Sequence, residues 1–265
     1  TIIRKSKKIK IMSKYYLTPE IKPEINKMGN VAYTADDVLF DWTAFEIPVG
    51  TCALRSFTIK VMGTEAVAAN AIDVDLYFAK SVNGVAPPTL GDANDAKNVI
   101  KTTAVKPYIM AYLGIDASEL EDAGDGLVGY NVLGAGIGSS PDPTNKIVML
   151  EGEPAYSSTQ GYQTIWVAGI TTAGAQDFGT GCIVAGAHSA DDLTIVIDGV
   201  DADDVFAIGD TLIAFDADGS DETTIGDVTA VAADLITVDA APNIIADDDE
   251  ICNLSPITFQ FGLEY

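Results

Sequence analysis

The last nine residues, ITFQFGLEY (257–265), put Ile257, Phe259, Phe261 and Leu263 on one side of an extended chain and Thr258, Gln260 and Glu264 on the other. Apolar residues at every second position mark a strand with one buried face, because successive side chains of a strand point in opposite directions. The same period occurs in 56–62, where Phe57, Ile59 and Val61 oppose Ser56, Thr58 and Lys60. It occurs again in 72–78, where Ile72, Val74, Leu76 and Phe78 alternate with Asp73, Asp75 and Tyr77. Further strands are expected at 38–42, 108–112, 128–133, 146–151, 163–169, 181–185, 193–198, 211–215, 223–231, 235–239 and 250–254. Turn clusters separate them: NG at 83–84, APPTLG, SSPDPTN and DADGSD. Helix is scarce. A short one is expected over 92–102, and Ser118 with Glu121 fits a capping box ahead of another turn. The fold class expected is all-β: an antiparallel β-sandwich, jelly-roll or Ig-like, with a small β-barrel module and an extended N-terminal arm.

A chain of 265 residues can build one large core or two modest ones. Composition shifts near residue 190. From Asp191 to Leu254 strand and turn alternate at short intervals, rich in Asp, Ala, Ile and Val, with the rhythm of a barrel of about five or six strands. The expected organisation is a basic extended arm over 1–28, a sandwich over 29–190 completed by 255–265, and the 191–254 barrel as an insertion. The arm sequence has no sustained pattern and contains two prolines, Pro19 and Pro23.

Charge is partitioned more sharply than the net value of −24 suggests. Residues 1–28 hold eight Lys or Arg and two Glu, a balance of +6, whereas residues 29–265 hold seven against 37 acidic residues, a balance of −30. No Lys or Arg follows Lys146. Such a body repels nucleic acid and anionic membrane. A like-charge block at a terminus reads as an interaction tail, which makes Arg4, Lys5, Lys7, Lys8, Lys10 and Lys14 the candidate assembly residues. With Tyr15 and Tyr16 beside them they have the make-up to touch a genome, but the acidic body opposes that, so an acidic protein surface is the expected partner. No run approaches the roughly 18–20 apolar residues of a membrane span, and no charged-then-apolar signal segment opens the sequence. No membrane partner is expected.

Motifs for chemistry are weak. Cys52, Cys182 and Cys252 are widely spaced among apolar neighbours and read as small buried strand residues, not as ligands or a disulfide framework. The single histidine, His188, sits in AGAHSADD without a GxSxG or Cys–His companion and reads as a loop or strand-edge residue. GAGIG (134–138) leads into a proline turn, where a dinucleotide fingerprint needs a helix. In DADGSDE (216–222), Asp216, Asp218 and Asp221 are close enough for their oxygens to converge on a calcium ion. Position six of an EF-hand loop, however, is glycine, and here it is Asp221; a hairpin turn uses the same residue types. DADD (201–204) and ADDDE (246–250) read as solvated turns. Apart from that calcium reading, no cofactor is expected. With 39 acidic residues, a carboxylate pair spaced for glycoside hydrolysis carries no information. Both tryptophans, Trp42 and Trp166, lie in strand-like settings.

VLFDWTAFEIPVGTCALRSFTIKVMG (38–63), followed by IDVDLYFAKSVNGVAPPTLGDAN (72–94), resembles a group of structural proteins encoded by marine tailed bacteriophages. In that group an apolar strand, a P-x-G turn, a second strand and an LYFAKS-NG-like segment follow one another. DFGTG (177–181) and the IGDTLIAFD, VTAV and LITVD pattern of 208–239 are similar to small β-barrel modules of phage head and tail proteins. The resemblance is one of pattern and covers residues 38–98 and 177–254. It implies a non-enzymatic virion component on the capsid surface, a decoration or cement protein, often trimeric, whose partner is the major capsid protein or another virion protein. It assigns no functional residue, and the basic arm has no place in it. A tail, baseplate or head-fibre component and a carbohydrate-binding adhesion module are the rival readings.

Overall fold

The computed structural model describes residues 14–25, 33–62, 73–91, 104–116, 121–122, 127–133, 148–153, 159–173, 182–216, 222–240 and 244–265. The chain runs through β1 (Tyr15–Leu17), β2 (Val38–Pro48), β3 (Cys52–Met62), β4 (Val74–Ala79), β5 (Ile109–Ile115), β6 (Glu121–Asp122), β7 (Leu127–Leu133) and β8 (Met149–Leu150). It continues through β9 (Tyr162–Thr171), β10 (Cys182–Val184), β11 (Thr194–Asp198), the single helical turn α1 (Ala202–Val205), β12 (Thr211–Phe215), β13 (Glu222–Ala232), β14 (Leu235–Val238), β15 (Glu250–Asn253) and β16 (Ile257–Glu264). The fold is all-β, with antiparallel sheets packed together. No helix among the described residues is long and apolar enough to cross a membrane.

One sheet has the order β1-β16-β3-β7-β6, with β8 also on β3; the other has the order β2-β9-β4-β5. The alternation in β16 is realised residue by residue, its odd-numbered side chains buried and its even-numbered ones half-buried. Phe57, Phe259 and Phe261 of the first sheet meet Phe40, Phe45 and Phe78 of the second. Ring centroids lie 5.2 Å apart for Phe45–Phe261, 5.4 Å for Phe78–Phe261 and 5.6 Å for Phe40–Phe259. Buried aromatic pairs at these separations add to the area they remove from water. Gly169 in β9 makes room for this packing, since a Cβ there would run into the ring of Phe40.

The connection Pro48-Val49-Gly50-Thr51 carries the chain from the second sheet to the first, so β2 and β3 follow each other in sequence without pairing. Gly50 adopts φ +110°, open only to glycine. The buried Gln163 amide holds this crossing, donating to the carbonyls of Pro48 at 3.0 Å and Gly50 at 2.5 Å, while its oxygen accepts from the Gly152 amide at 3.0 Å. The NG turn at 83–84 is tight: Asn83 and Gly84 both have positive φ, 54° and 74°, between the bridged Val82 and Val85. The Glu153 carboxylate caps it, accepting from the amides of Gly84 (2.8 Å) and Asn83 (2.9 Å) and from the Ser81 hydroxyl (2.9 Å).

The other closed unit is a barrel in the order β10-β11-β14-β13-β12-β15, whose strands fall in sequence between β9 of one sheet and β16 of the other. Its first strand begins at Cys182, upstream of the composition shift at residue 191, because a three-residue strand leaves no mark on composition. Leu212, Ala214 and Ile251 face the barrel interior, whereas Ile213, Phe215, Cys252 and Leu254 join the sandwich core. Strands β12 and β15 are therefore buried on both faces, which removes their alternation.

Several expectations are corrected. Part of the extended N-terminal arm, residues 14–25, lies along the first sheet: β1 pairs with β16, Ile21 bridges Phe259, and Ile21, Ile25 and Thr18 are buried. Three residues of strand are too few for a periodic signal. Glu121 lies in β6, not in a capped helix, and Ser118 is outside the described residues, as is the 92–102 segment. Of the strand expected at 146–151, the described residues form β8 at Met149 and Leu150, and residues 146 and 147 lie outside the described residues. DADD is not a plain turn, since Ala202 and Val205, three apart, dip the helical turn into the barrel core while Asp203 and Asp204 stay outside. In ADDDE, Asp249 and Glu250 are buried and not solvated, and Asp249 accepts from the Ala246 amide at 2.7 Å.

Phe261→Ala is expected to lower the unfolding free energy by about 3–5 kcal/mol, and Gly169→Ala by about 1–3 kcal/mol through overpacking. Urea denaturation curves measure both. The hydrogen bonds from Gly84, Ser81 and Asn83 hold the Glu153 carboxyl below its ordinary 4.5. Its contribution to the turn is therefore present above the ordinary value and lost as pH falls through the lowered one. Amide proton shifts of Asn83 and Gly84 are expected to step in that acid range, and Glu153→Gln to remove the step.

Candidate assembly surface

Of the six basic residues proposed for assembly, Arg4, Lys5, Lys7, Lys8 and Lys10 lie outside the described residues, and Lys14 is inside them. Lys14 continues the β1–β16 ladder, its amide donating to the Tyr265 carbonyl at 3.2 Å and its carbonyl accepting from the Tyr265 amide at 3.0 Å. Its ammonium lies 5.8 Å from the centre of the Tyr265 ring, within cation–π range.

Strand β1 ends the sheet, and no described strand pairs with its outer edge. Such an edge is a template for a further chain. Alternation turns Tyr16 inward, where its ring meets Tyr162 edge-on at 5.8 Å and burial raises its phenol above the usual range. Tyr15 and Leu17 point the other way, at 73% and 58% exposure. Between them and Arg55 runs a shallow groove of 310 Å³ whose floor is Gly262 and Ser56. Gly262 lets the chain pass close to Ser56, since a side chain there would collide with the Ser56 hydroxyl. The Arg55 guanidinium is anchored by Glu264, 2.6 Å away, and Lys60 pairs with Glu20 at 2.5 Å, which holds the Glu20 carboxyl below its usual range. Lys22 reaches the barrel, donating to the Gly209 carbonyl at 3.2 Å. Four of the six described basic residues, Lys14, Lys22, Arg55 and Lys60, thus cluster on this sheet and along its edge segment. The arrangement can grip an extended, apolar and acidic partner chain. Sequence reasoning found the charge and noted Tyr15 beside it, but missed Leu17 and Gly262, whose only signal is the pairing of distant segments.

The other candidates come together less. Asp216 is exposed at the start of the β12–β13 connection, directly after the Phe215–Glu222 pair, and Asp218 and Asp221 lie outside the described residues. Among the described residues, no three His, Cys, Asp or Glu side chains are placed to hold a metal ion. The imidazole Nε2 of His188 accepts from the Val196 amide at 3.1 Å, and its backbone bridges Ile245. GAGIG and DFGTG are outside the described residues. Trp166 is buried, and Trp42 packs half-buried with its indole N–H donating to the Pro88 carbonyl at 2.8 Å. All three cysteines are buried and none is in a disulfide. Burial, followed by the nearby Glu151 carboxylate, pushes the Cys52 thiol up to about 11, and its Sγ donates to the Pro48 carbonyl at 3.4 Å.

No protein-family model matches the chain, and no curated protein matches it.

At pH 8 a thiol-reactive dye is expected to label none of Cys52, Cys182 and Cys252 in the folded protein and all three in denaturant, since thiolates alone react. Absorbance of the released chromophore counts them.

Proposed function

We propose that this chain is a structural component of a virus particle: a decoration, or cement, protein that binds an assembled capsid through its basic N-terminal segment and stabilises it. The observation that carries this reading is the junction at Lys14. There a segment with five basic and no acidic residues, 1–13, runs directly into an edge strand whose Tyr15 and Leu17 are exposed above an open groove. Charge attracts an acidic surface over a distance of about one Debye length, and apolar side chains with an unpaired strand edge then fix the contact. Ordering the segment costs conformational entropy, which the bonds it forms have to exceed. The acidic remainder suits a dense surface array, since like charge keeps neighbouring bodies from sticking indiscriminately. The sequence resemblance to phage structural proteins supports the same reading and implies trimers at local symmetry axes.

Deleting residues 1–13 is expected to abolish co-sedimentation with assembled capsids at about 0.1 M salt. Tyr15→Ser combined with Leu17→Ser is expected to weaken it at least tenfold, with stability changed by less than about 0.5 kcal/mol because both side chains are exposed. Full capsid occupancy by the deletion variant rules out the proposed role of the segment.

A further inference from the structure

The molecule has two unlike ends, and the topology places them apart. Strand β16 leaves the barrel at Ile257 and runs for eight residues, about 26 Å of strand, to the end where Lys14 pairs with Tyr265. The β1 segment returns alongside it, so that Ile25 lies at Leu254 and Lys22 at Gly209, beside the barrel. Lys14, to which residues 1–13 are joined, therefore lies at the end of the sandwich away from the barrel of the same chain.

The barrel supplies the opposite charge. Residues 182–254 contain 18 acidic side chains and neither Lys nor Arg. Strands β12 and β15 face the sandwich, and in a ring of six the strands across from them are β11 and β14. On that distal wall Val196 pairs in register with Leu235, and Leu235 with Ala232. Ala185 lies beside Val196, its amide donating to the Val196 carbonyl, and Ile183, two residues back on β10 and opposite Asp198, is a diagonal neighbour. Ile183, Val196 and Leu235 are exposed by 46%, 41% and 38%. Exposed carboxylates lie beside them: Asp198 opposite Ile183, and Asp234 next to Leu235. An exposed apolar patch of Val196 and Leu235 with Ile183 diagonal to it, next to the carboxylates of Asp198 and Asp234, fits a chain that alternates apolar and cationic residues. Residues 8–11, Lys-Ile-Lys-Ile, are such a chain. Laid down extended, Ile9 and Ile11 share one side, and the long stems of Lys8 and Lys10 reach over to the carboxylates.

We propose that the distal wall of the barrel is the docking site for the N-terminal segment of a second copy of this chain, so that copies join head to tail. The proposal rests on reading the basic segment as a docking segment and names its partner. A neighbour is the occupant because the same chain's segment starts at the far end and has to reverse over the whole sandwich to arrive. Two basic segments repel each other, which disfavours symmetric edge-to-edge pairing of β1 strands. A contact between two different patches closes into a ring or continues as an open array, according to the rotation it imposes.

The test is analytical ultracentrifugation of the full chain without capsids. At about 0.1 M salt the wild-type protein is expected to sediment as oligomers, and at about 1 M salt, where the Debye length falls to about 3 Å, as monomer. The segment variant Lys8→Glu with Lys10→Glu and the barrel variant Val196→Lys with Leu235→Lys are each expected to be monomeric. Circular dichroism checks that they are folded. Mixed in equal amounts, they are expected to form a one-to-one complex, because one retains the segment and the other the wall. A wild-type monomer at low salt, association of either variant alone, or a mixture that stays monomeric overturns the proposal. Capsid binding that still needs residues 1–13 after such an outcome leaves the capsid role standing, whereas intact self-association with capsid binding independent of residues 1–13 removes the capsid role and keeps this one.

Discussion

The stack of Phe259 and Phe261 against the aromatic side chains of both sheets is the contact on which the rest of the molecule depends. These two side chains on β16 touch Phe57 in their own sheet and Phe40, Phe45 and Phe78 across the core. The strand that carries them also pairs with β3 on one side and β1 on the other. A single short segment at the end of the chain thus closes the sandwich, holds the N-terminal strand and follows directly on the barrel. Burial of such large apolar side chains is the dominant favourable term in a fold of this size. A one-residue slip of β16 turns all of them into water, so its register is strongly specified.

The same strand accounts for the union of sandwich and barrel. Because β15 passes into β16 after only three residues, the barrel has to sit at the edge of the sandwich core. Ile213, Phe215, Cys252 and Leu254 then satisfy both units at once. The contact is apolar and continuous with the main core. Most of the barrel's described acidic side chains lie exposed on its outer wall and turns, while Asp249 and Glu250 are buried. Among the described residues, four of the six basic side chains lie on the first sheet and along its edge segment, which continues into the basic N-terminal extension.

That extension gives the edge strand β1 its character. An unpaired edge bearing Tyr15 and Leu17 invites indiscriminate pairing, and flanking lysines are a common protection against it. In the proposed assembly role, the same lysines repel another copy of themselves and attract acidic surfaces. The groove over Gly262 adds shape to the charge. Assembly through such a surface is salt-dependent in rate and in strength, because its charges are exposed and screened.

Much of the architecture is legible in the residues themselves. Alternation in 56–62, 72–78 and 257–263 reports which side of each strand is buried, and that is a local property imposed by backbone geometry. The Asn83-Gly84 turn and the acidic hairpin after Phe215 are legible for the same reason, since positive φ and short solvated connections select few residue types. Charge partition is legible because it needs no structure at all. What only the tertiary structure decided is which strands meet. Nothing in Pro48-Val49-Gly50 tells that β2 and β3 lie in different sheets, nothing in Tyr15–Leu17 that it pairs with residues 262–264, and nothing in Asp249-Glu250 that both are buried. Pairing brings together segments far apart in the chain, and its free energy comes from shared burial and cross-strand contact, which no window of sequence contains. The assembly surface belongs to this second class: its charge is written in residues 1–14, but its edge, its groove and its distance from the barrel exist only once β16 has joined them.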